Sequence, residues 1–216
     1  MRVGSWAGGC LRTLLVDRLS SRSREVAFPL PPRSPTASVR RSTSVVRKIG
    51  LPWQPELAIG AVAEGNVCVM NDAVIEEAGV RGDELEGAIA RERVELERRV
   101  HAYRGEQLPI PLDGRLVILV DDGLATGYTA RAAIEQIRRR GASRVVLAVP
   151  VAPEDSVATM GRVADEFVAL QTPTWFLSIG EHYEDFRQTS DDEVVACLQR
   201  ATKPAIGQVA EVPGRA

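Results

Sequence analysis

Residues 117–129, Val-Ile-Leu-Val-Asp-Asp-Gly-Leu-Ala-Thr-Gly-Tyr-Thr, are the stretch that decides the fold of this chain. Four consecutive aliphatic residues predict a strand buried on both faces of a parallel sheet. Two carboxylates and a turn of small residues follow, and then a helix predicted to run to about Arg140 and to be closed by Gly141. Strand, turn and helix in this order, repeated further along the chain, predict an α/β fold.

The turn has the composition of a phosphate-binding loop. Backbone amides exposed in such a turn, at the N-terminus of a helix, form a ready site for an anion. The adjacent Asp121 and Asp122 offer carboxylates, which accept hydrogen bonds from hydroxyls and are hard oxygen ligands for a magnesium-bound group. Together they describe a site for a sugar phosphate held at both ends. The alternative is an ordinary turn after an acidic strand end, which the added Thr-Gly-x-Thr disfavours.

Two other phosphate-binding motifs do not fit the sequence. No Gly-Lys-Ser/Thr follows the strand, which excludes the loop of nucleotide triphosphatases. No Gly-x-Gly-x-x-Gly is present for a dinucleotide.

Residues 117–129 closely resemble the binding motif of type I phosphoribosyltransferases for 5-phosphoribosyl-1-diphosphate (PRPP). In that family a hydrophobic strand and two acids precede a Gly-x-x-Thr-Gly-x-Thr loop. The resemblance implies that Asp121 and Asp122 are the catalytic residues and hold the ribose 2′ and 3′ hydroxyls. It also implies a set of residues around the 5′-phosphate, namely Gly123, Leu124, Ala125, Thr126, Gly127 and Thr129.

Further stretches resemble one branch of this family, found both as stand-alone proteins and fused to hydrolase domains. They lie at residues 46–52 with 55–61, 103–105, 174–176 and 182–186. The resemblance spans about residues 45–199. It implies a central parallel sheet flanked by helices, with a small hood over the strand ends.

Three side chains outside the loop are candidates for contact with substrate. Lys48 lies at a predicted strand end, where open α/β sheets bind ligands, and would neutralise the leaving diphosphate; a solvated loop lysine is the alternative. Arg104 is a candidate to close over the diphosphate from a mobile loop, although exposed arginines are common. Trp175 would either stack on a flat acceptor or cap the core beneath the hood.

The chain divides into three parts by composition. Residues 1–44 contain eight arginines, no lysine and two acids, and are predicted to be irregular or disordered, with a short helix around residues 11–19. An Arg-rich and Ser-rich organelle transit peptide is an equal alternative for this segment. Residues 45–202 form the predicted phosphoribosyltransferase-like domain, and residues 203–216 a flexible tail.

The first segment departs from the family pattern. Members of the branch carry a Pro-Arg-Gly-Gly loop whose amides bind diphosphate, whereas this chain has Pro-Pro-Arg-Ser-Pro at residues 31–35. Side chains there would obstruct a close approach of backbone to diphosphate. One hypothesis is a shifted reading frame or a wrongly chosen start ahead of intact coding sequence. It fails if neither of the other frames of the gene encodes a Pro-Arg-Gly-Gly stretch.

Composition and charge limit the function classes. The chain has 216 residues, 44% hydrophobic and 26% charged, with a net charge of −2, as in ordinary globular proteins. Neither nucleic acid nor membrane is expected as a partner, because no basic excess and no apolar run of about 20 residues is present. Three cysteines and two histidines predict neither a disulfide framework nor a metal centre. We expect a cytoplasmic protein, with homodimer formation favoured by exposed sheet edges.

The leading functional prediction is transfer of a phosphoribosyl group from PRPP to a nitrogen acceptor, with release of diphosphate, in nucleotide metabolism. Mg²⁺ would be held mostly by PRPP oxygens and water, without a dedicated set of protein ligands. Two alternatives stay open. The chain could be a non-catalytic regulatory or degenerate binder of PRPP or a nucleotide, or a truncated sheet that folds poorly and has no activity.

Overall fold

The computed structural model describes residues 11–17, 38–187 and 189–201. The strands are β1 (Leu11–Asp17), β2 (Ser38–Ser44), β3 (Val46–Leu51), β4 (Gln54–Ala63), β5 (Val67–Met70), β6 (Leu116–Val120), β7 (Arg144–Val151) and β8 (Glu166–Gln171). The helices are α1 (Asp72–Glu77), α2 (Gly82–Arg104), α3 (Tyr128–Arg139), α4 (Glu154–Met160) and α5 (Asp191–Ala201). A 3₁₀ turn occupies Ile179–His182.

The strands form two sheets. One has the order β2-β1-β6-β7-β8, in which β6, β7 and β8 are parallel. The other is the antiparallel sheet β3-β4-β5. The predicted α/β fold with a parallel sheet and flanking helices is therefore confirmed, and a separate antiparallel sheet accompanies it.

The first segment differs from its prediction where the structure describes it. Strand β1 pairs antiparallel with both β2 and β6, and Leu15 lies opposite Val117. Leucines at residues 11, 14, 15 and 19 led to the prediction of a short helix there. A helix of so few residues is marginal in water, however, whereas an extended segment satisfies the hydrogen bonds along the edge of β6. The rest of residues 1–44, and residues 202–216, lie outside the described residues.

The main core lies between β6, β7 and helix α3. Alternate residues of β7 are buried, as expected for a strand whose faces meet different layers. The buried face of α3 combines small alanines with Ile134 and Ile137, so the helix can lie close to both sheets. The 121–129 turn joins the end of β6 to the start of α3.

Helix α2 supplies two residues that line the candidate active site. It packs against β3, β4 and α5, yet only Ala88 and Leu96 are buried along its 23 residues. Its C-terminal half is tied to α5 through Asp191, which accepts hydrogen bonds from Arg98 at 2.7 Å and from the Tyr103 hydroxyl at 2.6 Å. In the described part of the chain, no helix is long and apolar enough to cross a membrane.

Candidate active site

The turn that follows β6 is held to the neighbouring strand by backbone hydrogen bonds. The amide of Asp121 donates to Ala148 at 3.2 Å, and that of Leu124 donates to Val151 at 2.9 Å. The Leu124 side chain is buried, which anchors the middle of the turn in the core. Gly127 then adopts a left-handed conformation with φ of +76°, and α3 begins at the next residue. These hydrogen bonds and the buried Leu124 side chain hold the turn in place between β6 and α3.

The second half of the turn presents unpaired amides. Within the residues that the structure describes, the backbone N–H groups of residues 125–129 donate to no protein acceptor. Ala125 and Thr126 are exposed, and the amides stand at the N-terminus of α3, where the helix dipole favours negative charge. A phosphate is the ligand that this arrangement suits.

The two carboxylates at the start of the turn share a restricted space. Asp121 Oδ1 accepts a hydrogen bond from the Asp122 amide at 3.0 Å. Burial raises the pKa of Asp121 above its usual range, and the charge of Asp122 raises it further. The pKa of Asp122 is also raised, chiefly by burial. The pair therefore needs hydroxyl donors or a cation in order to be fully ionised without cost.

Asp121→Asn should stabilise the fold near neutral pH. Because the pKa of Asp121 is raised on folding, the folded chain keeps its proton to a higher pH than the unfolded chain. The contribution of the pair to stability is therefore present in acid and is lost as pH rises from about 4 towards neutrality. At about pH 8 the variant should melt about 2–4 °C above the wild type, the shift for roughly 1 kcal/mol in a chain of this size. Thermal melts of both proteins across this range check it, and a constant difference at every pH would contradict it.

The turn opens into a cavity of about 260 Å³. Every residue from Asp121 to Thr129 lines it, so the acid pair and the amide cradle face one space, as the sequence predicts. Lys48 lines the same cavity from β3, and its ammonium donates to the backbone oxygen of Glu56 at 3.2 Å. The side chain of Lys48 is 41% exposed, so its charge remains accessible to a ligand.

Two of the predicted site residues lie away from this cavity. Arg104 forms a paired ion contact with Glu64, at 2.6 and 2.9 Å, in which both side chains are largely buried. The side chain of Trp175 is 92% exposed on the loop after β8, so it caps no core. Neither residue lines the cavity, and a role for either in binding requires movement of its segment.

The structure adds lining residues that the sequence did not assign to the site. They are Ser44, Val45, Val46, Ala58, Arg99, Tyr103, Tyr128 and Ile179. Arg99 and Tyr103 are four residues apart and so share one face of α2. Charges alternate in sign along residues 84–99, a pattern typical of a solvated helix face, and the sequence alone does not distinguish Arg99, the one basic residue among them that lines the cavity.

The segment after β8 packs against the turn that carries the acid pair. A side chain at Gly123 would meet Ile179 Cγ2 at 2.8 Å, so the turn and this segment are in close contact. The hydroxyl of Tyr183 donates to the backbone oxygen of Asp122, and the Tyr183 ring is buried against Phe186 with centroids 5.1 Å apart. Burial and the two nearby carboxylates raise the pKa of Tyr183 to about 12, so the hydroxyl stays a donor.

Tyr183→Phe should therefore loosen the acid pair without emptying the core. The ring and its contact with Phe186 remain, but the carbonyl of Asp122 loses its donor, which costs about 1 kcal/mol. We expect a melting temperature lower by about 2–4 °C and turnover reduced several-fold. Thermal melts and steady-state kinetics measure the two effects. If neither changes, the hydroxyl does not support the acid pair.

Comparison with known proteins identifies the family. The family model described as "Phosphoribosyl transferase domain" matches residues 47–201. The matched residues include the 121–129 turn, which lines the cavity, together with the strand before it and the helix after it. The protein belongs to the phosphoribosyl transferase domain family.

Individual relatives support the same assignment. Two Mycobacterium tuberculosis proteins, from strains CDC 1551 and H37Rv, carry the name "Putative phosphoribosyl transferase" and are 48% identical over 157 residues. The match covers 73% of this chain but 35% of each relative, so the chain spans about a third of their length. The crystal structure of TT1426 from Thermus thermophilus is similar, with a TM-score of 0.56 and 37% identity over 73% of this chain and 74% of that one.

Proposed function

We propose that the protein transfers a 5-phosphoribosyl group from PRPP to a nitrogen acceptor and releases diphosphate. The observation that carries the proposal is the single cavity into which two carboxylates and an amide-lined helix N-terminus both open. A pentose 5-phosphate offers a diol to the carboxylates and an anion to the amides. Membership of the family supports PRPP as the donor.

The proposed reaction breaks the bond between ribose C1 and the diphosphate oxygen and forms a bond from C1 to the acceptor nitrogen. The nitrogen loses its proton to water, and the bonding electrons leave with diphosphate. Positive charge develops on the ribose in between, and Asp121 and Asp122 would stabilise it while they hold the hydroxyls. The amides of residues 125–129 would fix the 5′-phosphate, so that positioning contributes much of the rate.

Magnesium would enter with PRPP. Among the described residues no group of three or more His, Cys, Asp or Glu side chains is placed to hold a metal ion. The two carboxylates at 121 and 122 are hard oxygen donors, and they fit an ion that keeps several waters and takes its remaining ligands from phosphates. When bound, the ion would offset the charge of the leaving diphosphate.

A specific observation favours a second candidate, a non-catalytic binder of PRPP or a nucleotide. The ammonium of Lys48 lies 3.4 Å from the Glu56 carboxylate, and Arg104 is paired with Glu64. Both cations predicted to meet diphosphate thus already contact carboxylates. A protein that only senses the sugar phosphate would retain the turn and would not need these groups.

Two measurements separate the candidates. Calorimetry with PRPP and Mg²⁺ tests binding, and release of diphosphate with a panel of purine, pyrimidine and simple aromatic amine acceptors tests turnover. Binding together with acceptor-dependent release supports the enzyme, and binding without release supports the sensor. A chain that shows a cooperative thermal melt but does not bind PRPP would refute the enzyme and the PRPP sensor.

A further inference from the structure

Basic side chains are scarce around the cavity. In the described part of its lining, Lys48 and Arg99 are the basic residues. PRPP carries phosphate at both ends of its ribose, and the proposed function assigns the 5′-phosphate to the turn amides. The diphosphate at C1 therefore needs cations elsewhere in the cavity, since burying anionic oxygens without them is costly.

Arg99 is positioned for a contact with the diphosphate. Its Nε donates to Glu95 at 2.8 Å, which fixes the direction of the guanidinium, and its side chain is 21% exposed. Its two terminal amino groups donate to no acceptor within the part of the chain that the structure describes. A guanidinium with a free pair of donors matches two oxygens of a phosphate at once.

The neighbouring arginine provides the contrast. Arg98 contacts Glu95 through two nitrogens, at 2.7 and 2.8 Å, and Asp191 through one, at 2.7 Å. It does not line the cavity. Arg98 is thus paired with two carboxylates, whereas Arg99 contacts Glu95 alone, through its Nε, and lines the cavity.

We propose that Arg99, together with Lys48, binds the diphosphate of PRPP and makes the site prefer PRPP to ribose 5-phosphate. This inference rests on the proposed function, because it assumes that the turn binds the pentose phosphate. It assigns to helix α2 a substrate contact in addition to those of the turn and of β3.

The test measures affinity for two ligands that differ at C1. PRPP with Mg²⁺ and ribose 5-phosphate are titrated by calorimetry into the full-length wild type, Arg99→Ala, Arg99→Lys and Arg98→Ala. Arg99→Ala should lose about 10-fold or more in affinity for PRPP, the scale of a lost charge-assisted hydrogen bond. Its affinity for ribose 5-phosphate should stay within about 2-fold of the wild type, because that ligand makes no contact with Arg99. Arg98→Ala should match the wild type with both ligands, and Arg99→Lys should keep part of the PRPP affinity.

The outcomes separate this inference from the proposed function. Unchanged PRPP affinity in Arg99→Ala, or an equal loss with both ligands, would overturn the role of Arg99 while the turn still binds. An equal loss in Arg98→Ala would assign the effect to the packing of α2 and overturn the role as well. A wild type that binds neither ligand would refute the proposed function, and this inference with it.

Discussion

Asp122→Asn should lower the rate of phosphoribosyl transfer by about 100-fold or more, the scale of a lost electrostatic contact in a transition state. The substitution keeps the shape of the side chain and removes the charge that faces the developing positive ribose. PRPP affinity should change less than turnover, because the charge on the ribose is larger in the transition state than in bound PRPP. Diphosphate release at saturating PRPP measures the rate, and calorimetry measures the affinity.

A matched control accompanies this variant. Asp192 is an exposed aspartate at the start of α5 that does not line the cavity, and Asp192→Asn should leave turnover unchanged. Thermal melts confirm that both variants are folded. An Asp122→Asn protein that turns over at the wild-type rate would show that the acid pair is not the electrostatic centre of the site.

Gly127→Ala should abolish most PRPP binding, with a loss of at least about 10-fold, as expected when several phosphate hydrogen bonds are weakened together. At φ of +76° a side chain strains the backbone, and a Cβ would also meet Met160 Cε at 3.0 Å. The turn must then move, and the amides of residues 125–129 move with it. Calorimetry with PRPP and Mg²⁺ gives the affinity, and a thermal melt gives the change in stability.

Gly79→Ala is the control that separates an effect on the binding site from the effect of backbone strain alone. Gly79 also has a positive φ, +63°, but a Cβ there would meet nothing within 4 Å, and the residue does not line the cavity. Both variants should lose about 1–2 kcal/mol of stability from the left-handed backbone. PRPP affinity should fall in Gly127→Ala alone. Equal affinities in the two variants would show that the phosphate binds elsewhere.

The sequence was most informative where local chemistry and function coincide. The run of aliphatics, the two acids and the small-residue turn specify their own structure, because a buried strand, a tight turn and a helix start each have a distinct residue pattern. The long helix has a similar local basis: apolar residues recur at helical spacing among Glu and Arg over residues 83–103, and the helix is observed at Gly82–Arg104. Lys48 was predicted at a strand end, but it lies within β3, opposite Ala61, and lines the cavity from there.

Contacts between residues that are far apart in the chain could not be predicted from local sequence patterns. The partner of an edge strand is set by whichever segment supplies hydrogen bonds, so the pairing of β1 with β6 could not be inferred from residues 11–17. The contact of Arg104 with Glu64 joins residues 40 positions apart, and a charge pattern does not show which carboxylate an arginine meets. Arg99 resembles its neighbours along α2 in sequence and differs from them only in what it faces.

The most direct test of the account is a crystal structure of the protein with PRPP and Mg²⁺. We predict the 5′-phosphate within hydrogen-bonding distance of the amides of residues 125–129, with the ribose hydroxyls at Asp121 and Asp122. Ligand density elsewhere on the protein, with the turn empty, would contradict the central claim that this turn binds the pentose phosphate.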